Sequence, residues 1–150
     1  MPKKELNVDD GLLVFETVMR VRHTEIDTGQ YMTLESLTGL LTEAWLRFLY
    51  AKGIKEIKEI NADYQGLIID ELHLSISSRV QVREELLFEV GVEPSYDDGS
   101  HIEIKVTRMQ TGETVAKARK HFVNYDFRLN KVTALDSTIK EALYPPLSNR

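Results

Sequence analysis

The stretch "HTEIDTGQYMTLESL", residues 23–37, gathers carboxylates, hydroxyls and a histidine just ahead of a segment patterned as a long helix. Asp27 is the residue here whose type and position could do chemistry. A carboxylate can act as a nucleophile or as the general base that activates water. The first turn of a helix leaves its N–H groups unpaired, and these can hold a developing negative charge. Asp27 precedes the helix by only a few residues, so carboxylate and amides can converge. The competing reading is structural: Asp27-Thr28-Gly29 has the residue types of a plain turn joining a strand to a helix.

Two further carboxylates stand on the helix. Glu35 lies beside its apolar stripe near the N-terminus and is the second candidate for the working group. Its ordinary role there would be compensation of the helix dipole. Glu43 sits about half a turn from the stripe by the 3.6-residue period, which predicts a solvated position. The four histidines, His23, His73, His101 and His121, have no metal-ligand spacing. With no cysteine in the chain, a zinc site would need carboxylates as well, so no metal and no cofactor is expected.

The elements that must position Asp27 are legible around it. Residues 14–23 are rich in β-branched and aromatic types and predict a strand. From Leu34 to Lys52, the residues Leu34, Leu37, Leu41, Ala44, Trp45 and Phe48 recur at three- and four-residue spacing, one face of a long helix. Thr33 is its expected N-cap, and Gly53 its expected left-handed terminator. Trp45 and Phe48 are expected in the core. "KEIKEINADYQG" reads as a polar connector. "LIIDELHLSISSRVQV" reads as one long strand, with Leu72, Leu74 and Ile76 alternating against His73, Ser75 and Ser77. "ELLFEVGVEPSY", "HIEIKVTRMQ" and "ETVAKARKHFVNYDF" read as three more strands, the last two joined by a tight turn at Thr111-Gly112. "LDSTIKEAL" is a short amphipathic helix. Strand, long helix, then an antiparallel meander is an α+β layout in which one helix lies across a curved sheet.

The 150 residues suit one domain, with the first ten expected to be loosely held. Hydrophobic residues make up 42% and charged residues 29%, an ordinary globular composition. A net charge of −5 argues against nucleic acid as a partner. No apolar run reaches the length of a membrane span, and "MPKKELNVDDGLLVF" lacks the apolar stretch of a secretory signal. The expected location is the cytoplasm.

This order of elements resembles the hotdog fold, a curved antiparallel sheet wrapped around one long central helix. Small thioesterases of the 4-hydroxybenzoyl-CoA thioesterase type carry an Asp-x-Asp-x-x-Gly-His-Val-Asn-Asn-like run after their first strand, and Glu-Ala-Arg in the helix. "EIDTGQYMTLESLTGLLTEAWLRF" aligns with that run without a gap. Asp27 falls on the second aspartate, and Glu43-Ala44 on the Glu-Ala of the helix. Gln30-Tyr31 falls on Gly-His, and Thr33-Leu34 on Asn-Asn. The stretch is also similar to the first hotdog unit of acyl-carrier-protein thioesterases. There an Arg-Ser-Tyr-Glu-Ile run leads to Ile-Glu-Thr-Leu and Leu-Gln-Glu. This chain has Arg22-His23-Thr24-Glu25-Ile26, Leu34-Glu35-Ser36-Leu37 and Leu41-Thr42-Glu43.

The resemblance implies hydrolysis of an acyl-CoA or acyl-carrier-protein thioester, with Asp27 catalytic and helix amides polarising the carbonyl. It implies a site at the interface of a homodimer or homotetramer. Tyr31, Thr33 and His23 would line that site. Lys117 and Arg119, which alternate with His121 on one strand face, would hold the phosphates of CoA or of the carrier arm. The alternative is a non-catalytic hotdog protein that binds an acyl thioester or a protein partner. A hotdog dehydratase is the weaker reading, because no His-x-x-x-x-Phe-Pro-Gly-like run is present.

Overall fold

The computed structural model describes residues 6–54, 65–94, 98–135 and 137–143. Most of the polar connector after Gly53 and the residues after Leu143 lie outside them. Six strands and two helices follow in order: β1 (Phe15–Arg20), α1 (Leu34–Ala51), β2 (Gln65–Ile76), β3 (Glu85–Val92), β4 (Gly99–Arg108), β5 (Thr114–Asp126), β6 (Lys131–Val132) and α2 (Ser137–Leu143). One antiparallel sheet runs in the order β1-β3-β4-β5-β2, with β6 on the end of β5. The sheet curls as a half-barrel around the single long helix, the α+β hotdog layout.

Period two sorts each strand between the two faces. Phe88 and Val90 of β3, Ile102, Ile104 and Val106 of β4, and Ala116, Ala118 and Phe122 of β5 point to the concave side and are fully buried. Against them α1 lays Leu37, Leu40, Leu41, Ala44, Trp45, Phe48 and Leu49. Trp45 stacks near Phe48 and Phe122, each with ring centroids 5.7 Å apart. The helix packs closest to β1 and β3. The concave side of β2 is therefore less covered: Leu74 and Ile76 are half-buried and Leu72 is exposed.

The helix boundaries are those expected. Thr33 caps the first turn, its Oγ1 accepting from Ser36 N at 3.1 Å, and Gly53 takes φ +73°. Leu34 departs from the predicted stripe. It is 56% exposed, because at the first helical position it lies ahead of the sheet. Several strands are shorter than predicted, β3 among them, which ends at Val92 ahead of Pro94. β1 ends at Arg20, and His23–Glu25 form a 3-10 turn that bends the chain toward α1. β2 ends at Ile76, after which residues 77–84 cross to β3 as irregular backbone. The hairpin between β4 and β5 opens from Arg108 to Glu113, with Gly112 at φ +75°.

The segment before β1 crosses the convex face. Its Leu12 carbonyl lies so near Gly91 that a Cβ there would meet the oxygen at 1.8 Å. Asn7 O accepts from Arg119, and Asp10 pairs with Lys105 at 3.4 Å. This cover buries Glu103 on a face that would otherwise meet water.

Candidate active site

The loop between β1 and α1 is tied down at both ends. Glu25 is buried, and its carboxylate accepts from Arg22 N at 2.7 Å and from Arg22 Nη2 at 2.9 Å. Burial alone would raise its pKa, but the bonds from Arg22 outweigh that and hold it below the ordinary value. The Glu25 carbonyl accepts from Thr33 N at 3.0 Å, which ties the 3-10 turn to the helix cap. Ile26 bridges Met32, Tyr31 bridges Gln81, and Met32 N donates to Val80 O at 2.7 Å. The loop is thus sewn to the segment that leads from β2 to β3.

Asp27 sits at the exposed tip of this loop. Its Oδ1 accepts from Gly29 N at 2.9 Å and from Tyr31 N at 3.1 Å. Its Oδ2 faces Arg79 Nη2 at 3.6 Å. The guanidinium of Arg79 also lies over the Tyr31 ring, 4.1 Å from its centroid, a cation–π contact. Gln30 adopts φ +68°, a left-handed conformation that favours glycine. It is the residue that aligns with the glycine of the thioesterase run.

At the helix terminus, Thr33 Oγ1 satisfies Ser36 N and Glu25 O satisfies Thr33 N. Among the described residues the amides of Leu34 and Glu35 have no partner. A small cavity of about 120 Å³ opens beside them, lined by Met32, Thr33, Leu37, Ile76, Arg79 and Val115 among others. Arg79, the ion-pair partner of Asp27, lines this cavity together with Thr33 and Leu34 at the helix terminus. On the other flank of α1, toward β1, lies an open groove of about 680 Å³. Its charged residues are largely paired with each other, Arg22 with Glu25 and Arg47 with Glu43.

The predicted site residues separate into two groups. Asp27, Tyr31 and Thr33 share the loop and helix cap, and Tyr31 and Thr33 are half-buried. Glu35 is exposed in the first helical turn, and Glu43 is exposed and bonded to Arg47, as its helical position predicts. His23 is exposed in the 3-10 turn and does not bond Asp27. Lys117, Arg119 and His121 lie on the convex face, away from α1. Arg119 is engaged there by Glu103, with bonds of 2.8 to 3.2 Å, and His121 Nδ1 meets Asp70 at 2.7 Å. The structure does not bring this trio to Asp27.

Arg79 and Glu25 are the members the sequence reading missed. Glu25 follows Arg22 at capping-box spacing, a local signal that could have found it. Arg79 had none, since its partners are far away in the chain. Among the described residues no group of three histidines or carboxylates could hold a metal. No helix among them is long and apolar enough to cross a membrane.

Fold and site together define a hotdog-fold protein with a carboxylate-bearing loop at the N-terminus of its central helix. A 1,4-dihydroxy-2-naphthoyl-CoA thioesterase from Synechocystis superposes with a TM-score of 0.80 at 13% identity, over 86% of this chain and 94% of its own. A Staphylococcus aureus protein solved in complex with CoA superposes at 0.78 and 15% identity, over 85% of this chain and 80% of its own. The 12:0-ACP thioesterase from Umbellularia californica superposes at 0.77 and 15% identity; 87% of this chain covers 49% of that enzyme. No family model and no curated protein sequence matches the chain. At these identities the likeness establishes the shared fold.

Proposed function

We propose that this chain is a thioester hydrolase acting on acyl-CoA or acyl-carrier-protein substrates. The observation that carries the reading is the ion pair of Asp27 with Arg79, which lines the apolar cavity beside the unpaired Leu34 and Glu35 amides. The thioesterases among the structural neighbours support it.

In this reading the thioester carbonyl oxygen takes hydrogen bonds from the first-turn amides, which strengthen as negative charge develops. Oδ1 of Asp27 holds the turn, so Oδ2 is the working oxygen. It either attacks the carbonyl carbon, giving an acyl-aspartyl anhydride that water then hydrolyses, or takes a proton from the water that attacks. The C–S bond breaks, and the thiolate leaves and is protonated. Arg79 orients Oδ2, while Tyr31 and Thr33 shape the approach. Glu35 is the alternative carboxylate. We further propose a homodimer. Among the described residues β2 is an edge strand of the sheet, with no strand paired to the outer side of residues 66–76, and a long free edge beside half-buried apolar side chains calls for a partner strand.

A second reading rests on the same loop. Two of the hydrogen bonds to Asp27 come from its own turn, which suits a non-catalytic protein that binds an acyl thioester. The experiment is hydrolysis of a panel of acyl-CoA and acyl-carrier-protein thioesters by wild type and Asp27→Asn. Loss of turnover in the folded variant is the expected result. Turnover that survives would shift the role to Glu35. Binding without turnover by wild type would favour the non-catalytic reading.

A further inference from the structure

Lys120 is 3% exposed, on the concave face of β5, between Ala118 and Phe122. Its Nζ reaches Thr42 Oγ1 of α1 at 3.4 Å, a long bond to a neutral group. Among the described residues no carboxylate pairs with it. Burial alone shifts this amine, lowering its pKa to about 8, and no opposite charge offsets that. An ammonium kept in the interior without a counter-charge is costly, and a chain with a plain structural core would carry an apolar residue there.

Its direction matters. Thr42 follows Leu34 and Thr38 along one face of α1. Leu34 lines the small cavity together with Ile76 of β2. This face therefore overlooks the thinly covered concave side of β2, where Leu72 is the cross-strand neighbour of Lys120. Along β2, Ile76 lines the cavity at the free helix amides, and Leu74 and Leu72 continue the same face to the cross-strand position of Lys120. The helix rises about 13 Å between Thr33 and Thr42.

We propose that Lys120 is the distal recognition group of the acyl site, binding a carboxylate at the far end of a medium-length acyl chain whose thioester lies at the N-terminus of α1. The substrate class is then the monothioester of an α,ω-dicarboxylic acid. This inference rests on the thioester reading above. Leu72, Leu74 and Ile76 suit the methylenes, and the ligand carboxylate supplies the counter-charge to Lys120 that the described residues do not.

The test separates the two claims. Thioether analogues of dodecanoyl-CoA and of dodecanedioyl-CoA, which cannot be hydrolysed, are titrated into wild type and Lys120→Met by calorimetry. Lys120→Met replaces the side chain with an apolar one of similar length. Hydrolysis of the two matching thioesters is measured beside it. The expected result is wild-type preference for the carboxylate-ended analogue by about tenfold or more, the worth of one charged hydrogen bond, and its loss or reversal in Lys120→Met. The inference is overturned if the variant keeps the wild-type preference, if wild type shows none, or if the variant's sole change is a weaker dimer. Hydrolysis by wild type with no preference would sink this inference alone. Discrimination in binding without hydrolysis would sink the hydrolase reading and leave Lys120 as the anion site.

Discussion

Arg79 Nη2 stands 3.6 Å from Asp27 Oδ2, linking the irregular backbone after β2 to the loop ahead of α1. Both side chains are largely solvent-accessible, so this ion pair contributes no more than about 1 kcal/mol to stability. In the proposed hydrolase its value is orientation of the one Asp27 oxygen that the turn does not use. Arg79→Met should leave the melting temperature nearly unchanged and lower kcat about tenfold, with KM moving less. Kinetics and thermal melts on the same preparation check this. A large fall in melting temperature would assign Arg79 a structural role.

Gln30 occupies a left-handed backbone position at φ +68°. A non-glycine residue there costs roughly 1 kcal/mol. Gln30→Gly should be neutral or stabilising by up to about that amount in a urea melt, despite the flexibility it adds to the unfolded chain. Gly29→Ala is the contrasting variant. Its Cβ would stand 3.3 Å from Asp27 Oδ1 and crowd the turn.

Thr33 joins helix cap and site in one side chain. Thr33→Ala removes the bond to Ser36 N and should cost about 1 kcal/mol, while Thr33→Ser retains it. Freed from its cap, the first turn frays and the Leu34 and Glu35 amides lose their positions. Activity should follow the same order, wild type and serine above alanine. Equal activity in all three would separate the cap from catalysis.

Lys120 sets a pH dependence whose sign is fixed. Its folded-state pKa of about 8 lies below the ordinary 10.5. Below pH 8 the amine is charged in folded and unfolded chains alike, and the full cost of burying the charge is present. Between those values the unfolded chain binds more protons, so this group makes stability rise with pH. Lys120→Met should be the more stable protein at neutral pH, by an amount of order 3 kcal/mol. The gap should narrow toward pH 10.5. Denaturant melts of both proteins across that range give the comparison.

On the convex face, burial raises the pKa of Glu103 and the neighbouring Glu93 adds to the rise, while Arg119 opposes both. Arg119→Met strands the buried carboxylate and should cost about 3–5 kcal/mol at neutral pH. A raised carboxyl pKa contributes stability when protonated and loses it as pH rises. The variant should therefore recover stability on mild acidification. Adding Glu103→Gln should restore most of the loss. If Arg119→Met left stability untouched, the pair would have no structural role.

The sequence by itself determined the parts that repeat locally. The 3.6-residue spacing of Leu37, Leu41, Ala44, Trp45 and Phe48 marked α1, because one face of a helix must be apolar to pack. Thr33 and Gly53 marked its ends, because the cap bond and the left-handed turn need those residue types. Alternation marked the strands, and the gapless run from Glu25 pointed to the loop that carries Asp27. Tertiary structure decided what depended on distant partners. Arg79 reaches Asp27 and Tyr31 only because the backbone after Ile76 folds against the loop, and no local period records that meeting. Arg119 alternates with Lys117 and His121 in the sequence, but its engagement by Glu103 follows only once the segment before β1 crosses the convex face and covers that carboxylate. Lys120 shares its strand face with Ala118 and Phe122, which alternation shows. Its lack of a counter-charge emerges only when α1 covers it, since desolvation is a property of the packed chain.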